Sequence, residues 1–208
     1  MVAFRYMNTF TASSCIKFGW ETFKKRALFL ALVTLLFMVV LGLVRWIGHG
    51  LILTIISYGI SILVDMGIVA FYLKAHDALA SVTIHDLWHP KSYINYVLAT
   101  LAVGILTVLG LIALIIPGII LILMWLFVKM LIVERDLKPL EAMKESARIT
   151  KGNRSQLFLL LLLIIIMNII GALLIGIGLL VTVPITLLSI THAYRLLAAK
   201  AGPVASIA

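Results

Sequence analysis

The sequence predicts an all-α polytopic membrane bundle of six transmembrane helices, arranged as three hairpins, with short cytoplasmic amphipathic helices. Of its 208 residues, 63% are hydrophobic and 12% are charged, whereas soluble domains have about 45–50% apolar and about 25% charged residues. The apolar residues also fall into runs that fit a hydrocarbon core of about 30 Å, which takes roughly 20 helical residues. We expect residues 1–208 to form a single integral membrane domain.

The first hairpin is predicted from two apolar runs of ordinary spanning length. The first run follows a basic triplet at positions 24–26, and the second begins after Gly48 and Gly50. Glycine is typical of a turn between helices. We therefore expect helices at 27–47 and 51–73.

The other two hairpins are predicted from apolar runs about twice too long for one crossing. The first of these runs breaks either near Gly110 or at Pro117-Gly118, and the second position is favoured because proline fits the first turn of a new helix. Gly178 and Pro184 interrupt the second run. The expected helices are 94–116, 118–134, 156–176 and 179–198.

The basic residues predict the orientation of these helices. The chain has 17 Lys and Arg against 8 Asp and Glu. With both termini in the cytoplasm, fifteen of the 17 fall in cytoplasmic segments, while Arg45 lies on the outer side and Lys129 lies within a span. The positive-inside rule favours this arrangement. The net charge of +9 is thus explained by topology and by attraction to anionic head groups, and it does not indicate nucleic acid.

The segment 136–153 predicts a short helix along the cytoplasmic membrane surface. Pro139 suits the first helical position, and Leu140, Met143 and Ala147 recur at helical spacing as an apolar face. Such a helix either covers the inner mouth of the bundle or provides a surface for anionic lipid or a partner. The basic residues that would form that surface are Lys144, Arg148, Lys151 and Arg154.

Two ionisable residues lie within the predicted spans, where a charge at mid-helix costs about 2.5–3.5 kcal/mol. Asp65 and Lys129 fall at similar depth in the inner halves of helices two and four. Three readings stay open: a structural ion pair, a proton or solute relay, or a snorkelling Lys129 beside a neutral Asp65. Tyr58 and Ser61 would extend a polar stripe on helix two, with Asn168 as a further partner.

A search for catalytic or metal-binding motifs finds none that would suit an enzyme. The single Cys15 excludes a disulfide framework and a cysteine-based metal cluster. His85 and His89 are four residues apart, but Pro90 would end a helix there, so solvated interfacial histidines are favoured over a metal site. The expectation is a protein without a cofactor or a bound metal, which is not an enzyme.

Several motifs resemble those of a bacterial membrane family. Ile116-Pro-Gly-Ile-Ile-Leu121, the segment 140–154 with Ser146, Thr150 and Asn153, and the two ends at 18–25 and 193–197 are similar to the uncharacterised YciC-like proteins. That group is related to the membrane domain fused to some glycerophosphodiester phosphodiesterases. The resemblance implies an inner-membrane protein of six helices and supplies no mechanism, and no phosphodiesterase domain is present in the sequence.

These observations favour a non-enzymatic inner-membrane protein with a structural, scaffolding or envelope-assembly role. The alternative is a small-solute transporter or channel with a polar path at Asp65 and Lys129. The expected partners are membrane lipids, through anionic head groups on the cytoplasmic side. A homo-oligomer or a membrane protein partner stays open.

Overall fold

The fold is an antiparallel bundle of helices, seen in a computed structural model that describes residues 10–47, 50–87, 91–174 and 176–202. These residues contain no strand, and six helical segments in them are long and apolar enough to cross a membrane. The predicted fold class is therefore confirmed. The helices are α1 (Ala12–Lys25), α2 (Ala27–Ile47), α3 (Leu51–Asp77), α4 (Tyr93–Ala113), α5 (Ile115–Met124), α6 (Val128–Arg135), α7 (Pro139–Thr150), α8 (Arg154–Leu173) and α9 (Leu179–Ala201), with a 3-10 turn at Ile84–Leu87.

The first hairpin consists of α2 and α3. The bounds of α2 are those expected, whereas α3 continues four residues beyond the predicted end, to Asp77. This extra turn carries polar side chains that pair with other parts of the chain, so it is held by contacts that hydropathy does not reveal. Gly48, assigned above to the outer turn, lies outside the described residues.

The second hairpin turns at Leu114, which has an extended backbone between α4 and α5. Gly110 lies inside α4, and Pro117 and Gly118 lie inside α5, so none of the three predicted helix-break residues is at the turn itself. The two glycines permit close helix packing instead: a Cβ on Gly118 would lie 2.8 Å from the Cα of Leu111. Pro117 sits in the first turn of α5, where its missing amide costs nothing.

The predicted fourth helix, 118–134, is two helices in the structure. α5 ends at Met124 and α6 begins at Val128, and no glycine or proline marks this break. Ser146 of α7 closes it, because its hydroxyl donates to the carbonyl of Met124 at 2.8 Å and accepts from the amide of Phe127 at 3.2 Å. A side chain thus satisfies backbone groups that the break leaves free in an apolar setting.

The third hairpin turns between α8 and α9. Gly178 lies at this turn, as expected, and a Cβ there would approach the Cα of Gly171 to 2.7 Å. Pro184 is not part of the break: it is the sixth residue of α9. Proline is tolerated in a membrane helix where neighbouring groups compensate for the lost hydrogen bond.

The short helices α1 and α7 pack at the end of the bundle where α3, α6 and α9 finish, which we call the basic end. α1 crosses α9 closely, because a Cβ on Gly19 would lie 2.7 Å from the carbonyl oxygen of Ile185. α7 forms over nearly the expected residues, but its buried face differs from the predicted one. Leu140 is 70% exposed, and the contacts of Ser146 turn a different face of α7 inward. The buried residues of α7 are Ala142, Met143, Glu145, Ser146, Ile149 and Thr150.

Candidate functional site

Asp65, Lys129 and Tyr96 meet where α3, α6 and α4 come together. The Lys129 ammonium lies 2.6 Å from Oδ2 of Asp65, and the Tyr96 hydroxyl donates to the same oxygen at 2.7 Å. Tyr96 is fully buried, whereas the side chains of Asp65 and Lys129 are 41% and 43% exposed. One carboxylate oxygen of Asp65 therefore accepts from two donors, on the side of the bundle.

The other residues predicted for this polar stripe do not gather around Asp65. The Ser61 hydroxyl donates to the carbonyl of Ser57 on its own helix, and Tyr58 is 69% exposed. The Asn168 amide donates to the Thr186 hydroxyl at 2.8 Å and so joins α8 to α9. Tyr96, which the sequence analysis did not include, is the residue that completes the site; its position one helical turn after the start of a span was the available signal.

A second polar cluster lies at the basic end and joins three helices. Arg195 of α9 donates to Asp77 at the end of α3 and to Glu134 of α6, and the Tyr194 hydroxyl also donates to Glu134. Sequence analysis missed this network. Glu134, Tyr194 and Arg195 lie within the last turns of predicted spans, whereas Asp77 lies four residues beyond the predicted end of helix two. Charges near helix ends on the same side of the membrane were therefore the signal.

Two histidines lie beside this network. His76 Nε2 and His192 Nδ1 are 3.0 Å apart, and His76 Nδ1 is 3.0 Å from Asp77. Phe18 of α1 stacks on His192 with ring centroids 3.9 Å apart, and His192 is only 7% exposed. The two rings thus form part of the contact between α1, α3 and α9.

His85 and His89 are the two histidines for which interfacial positions were favoured over a metal site. His85 is exposed in the 3-10 turn, and His89 lies outside the described residues. No set of three potential metal ligands occurs in the described part of the chain. Next to His85, Asp86 accepts from Lys74 at 2.6 Å, and this hydrogen bond holds the pKa of Asp86 below its ordinary value.

The four basic residues predicted to face lipid head groups divide into two kinds. Lys144 and Lys151 are exposed. Arg148 is engaged within the protein, because it donates to Glu145 at 2.7 Å and to the carbonyl of Ala201 at 2.7 Å. Arg154 is half-buried, and its Nε has no partner among the described residues.

Glu145 of α7 is the acid to which Arg148 donates. It is 6% exposed and accepts from Arg135 of α6 as well as from Arg148. The hydrogen bond from Arg148 lowers the pKa of Glu145 and raises that of Arg148. The carboxylate therefore stays charged and ties α7 to α6.

Most of the acidic side chains form hydrogen bonds or ion pairs within the protein. Seven of the 8 Asp and Glu residues bond to a basic side chain, a hydroxyl or a backbone amide. Apart from Glu141, which accepts from the backbone amide of Lys138, each of these acids has a partner at least 10 residues away in sequence. The seven are Asp65, Asp77, Asp86, Glu134, Asp136, Glu141 and Glu145.

Comparison with known proteins gives one match. A domain of unknown function, DUF7847, matches residues 26–208, which include all six candidate spans. No curated protein matches the chain, and no solved structure matches it. The match shows no link to the YciC-like proteins or to glycerophosphodiester phosphodiesterases, so that resemblance is not established. The chain belongs to the DUF7847 family.

Proposed function

We propose that this integral membrane protein is a non-enzymatic scaffold of the bacterial inner membrane, with both termini in the cytoplasm and a structural or envelope-assembly role. The observation that carries the proposal is that its acidic side chains bond to other parts of the chain. Six of them tie distant parts of the chain together, so these groups contribute to assembly. A general acid or base would need a carboxylate free to exchange protons with a substrate.

The orientation and the membrane assignment have separate support. Fifteen of the 17 basic residues lie in segments that this topology places in the cytoplasm. The six candidate spans support an integral membrane protein. In this orientation the basic end faces the cytoplasm, and the exposed Lys144 and Lys151 lie where anionic head groups would meet them.

A small-solute transporter is the second candidate, and one observation favours it. The side chains of Asp65 and Lys129 are each about two-fifths exposed, so a solute reaching the flank of the bundle would meet both charges. Against this, the Ser61 hydroxyl donates to the carbonyl of Ser57 on α3, and the Thr54 hydroxyl donates to the carbonyl of Gly50, which immediately precedes α3. The outer half of α3 therefore offers few free polar groups for a path across the membrane.

Flux through reconstituted protein separates the two candidates. Purified protein in vesicles that contain a pH-sensitive dye is given a proton or potassium gradient, and a scaffold leaves the leak equal to that of vesicles without protein. The comparison variant is Asp65→Asn. A flux above the empty vesicles that Asp65→Asn abolishes would refute the scaffold and establish a conducting path at Asp65.

A further inference from the structure

A cavity on the flank of the bundle has the composition of a lipid site. It lies between the middle of α3 and the start of α4 and has a volume of about 780 Å³, within the range of about 300–1,000 Å³ that small-molecule sites occupy. Gly59, Ile60 and Leu63 line it on the side of α3. On the other side it is lined by Lys91, Ser92, Tyr93, Ile94 and Asn95.

The two walls differ in polarity along the membrane normal. Tyr93 begins the third candidate span, so Lys91 and Ser92 lie just outside the apolar part of α4, while Ile60 and Leu63 lie within the second span. A molecule that fills this cavity would therefore meet polar groups at the membrane surface and aliphatic groups below it. Phospholipids are divided in the same way, with a charged head and apolar chains.

The polar wall has groups left to bind a ligand. The Lys91 side chain is 75% exposed, and its partner Asp136 is 3.9 Å away, at the limit of an ion pair. Asp136 also accepts from the Ser92 hydroxyl, so its negative charge is shared between two donors. Among the described residues, the Asn95 side-chain amide has no hydrogen-bond partner. A phosphate would accept from Lys91 and from this amide.

The floor of the cavity is fixed by one hydrogen bond. The Tyr93 hydroxyl donates to the carbonyl of Gly59 at 2.8 Å, and a Cβ on Gly59 would lie 3.4 Å from that hydroxyl. A Cβ at that distance would make an ordinary contact, so the hydrogen bond itself joins α4 to α3 beside the cavity. The residues that line the cavity do not include Asp65, Lys129 or Tyr96.

We propose that this cavity binds an anionic phospholipid from the leaflet at the basic end. Its phosphate lies against Lys91 and Asn95, and one acyl chain follows Ile60 and Leu63 along α3. This site is separate from the exposed lysines of α7, and it is independent of the scaffold role.

The test is lipid retention by the full chain, measured by native mass spectrometry after titration with phosphatidylglycerol or, separately, with phosphatidylcholine. Lys91→Gln should weaken phosphatidylglycerol binding about fivefold, since one basic group near the surface contributes about 1 kcal/mol. The matched control is Lys200→Gln, which removes the same charge from an exposed position on α9 and should have no effect. Ile60→Trp, at a position already 43% exposed, should fill the cavity and reduce the binding of both lipids.

Two results would overturn the proposal. Equal losses for Lys91→Gln and Lys200→Gln would mean that phosphatidylglycerol adsorbs by overall charge. Unchanged binding of both lipids by Ile60→Trp would mean that no acyl chain enters the cavity. Thermal unfolding of each variant, followed by circular dichroism, distinguishes lost binding from lost structure.

Discussion

A single oxygen of Asp65 accepts from both Lys129 and Tyr96, and this sharing decides which substitution at the site costs most. In Asp65→Asn the amide oxygen still accepts from Tyr96, and Lys129 extends along the flank toward the membrane surface. In Lys129→Met the carboxylate loses the one cation that pairs with it among the described residues and keeps one neutral donor, Tyr96. A charge held in an apolar setting without a counter-charge is the more costly state.

We therefore expect Lys129→Met to lower the free energy of unfolding more than Asp65→Asn does. The loss should be about 1–2 kcal/mol, below the 3–5 kcal/mol typical of a fully buried pair, because both side chains are two-fifths exposed. The double variant should recover part of the loss. The double-mutant cycle is measured by unfolding in mixed micelles. If the effects of the two single substitutions add within about 0.3–0.5 kcal/mol, the two residues are not coupled.

Cys15 is a second residue whose surroundings determine an experiment. Its side chain is fully buried in the core between α1 and its neighbours, and burial raises the pKa of the thiol to about 12. The thiolate is the species that reacts with maleimide. We expect no labelling of folded protein at pH 7.5 from either side of the membrane, and full labelling after denaturation in SDS. Rapid labelling of the folded protein would contradict the buried position of α1.

At the scale of elements, the hairpin turns depend on glycines that let two helices approach. Gly178 has an ordinary helical φ of −58°, so its role is steric, and a Cβ there would lie 2.5 Å from the carbonyl oxygen of Gly171. Backbone atoms cannot move aside as a flexible side chain can. The contact between α8 and α9 therefore depends on the absence of a side chain.

Gly178→Ala should lower the free energy of unfolding by about 1–3 kcal/mol, as overpacking does. The matched control is Gly104→Ala within α4, where a Cβ would meet nothing within 4 Å. That change should be neutral or should stabilise the helix by up to about 1 kcal/mol. Equal effects of the two substitutions in thermal unfolding would show that α8 and α9 are not in close contact.

α7 presents basic residues of two kinds, and their substitution should separate lipid binding from folding. Replacing Lys144 and Lys151 by Gln should reduce binding to vesicles with anionic lipid, by about 1 kcal/mol per residue, without changing stability. Arg148→Gln should instead destabilise the protein, because it leaves Glu145 and the carbonyl of Ala201 without this donor. Vesicle flotation and thermal unfolding provide the two readouts, and the reverse pattern would exclude a head-group role for the lysines.

Elements could be predicted from the sequence wherever a single run of residues determines them. The bounds of α2, and the start of α7 at Pro139, follow from hydropathy and from local helix signals. The break between α5 and α6 could not be predicted, because it depends on Ser146, which lies about twenty residues further along the chain. Likewise Gly110 and Gly118 look like helix breakers in sequence, and their packing role depends on which helices become neighbours.

At the scale of the whole molecule, the orientation is open to a direct measurement. In a Cys15→Ala background, Gly48→Cys should react with an impermeant maleimide in intact cells, since position 48 belongs to the predicted outer turn. Ser81→Cys, at an exposed position in the loop after α3, should react only after the cells are opened. The opposite pattern would reverse the orientation and place the basic end outside.

The polar contacts that join the helices differ in how far they could be predicted from the sequence. The sequence predicted six spans and offered the pairing of opposite charges at one depth as one of three readings, because both depend on position along each helix. It did not predict the network of Arg195 with Asp77 and Glu134. That network depends on the order of helices around the bundle, on which hydropathy carries no information.

In the part of the chain that the structure describes, the ion pairs between helices lie in the half of the bundle that runs from the Asp65–Lys129 pair to the basic end. This asymmetry has a mechanical consequence. The candidate spans range from 20 to 26 residues, so the longer ones exceed a hydrocarbon core of about 30 Å and must tilt. A bundle fastened near one end pivots about that end when the bilayer becomes thicker or thinner. The opposite ends of the helices would then spread or close while the contact of Asp77 with Arg195 persists. Changes in bilayer thickness would thus alter the protein's outline in one leaflet and leave its outline in the other unchanged.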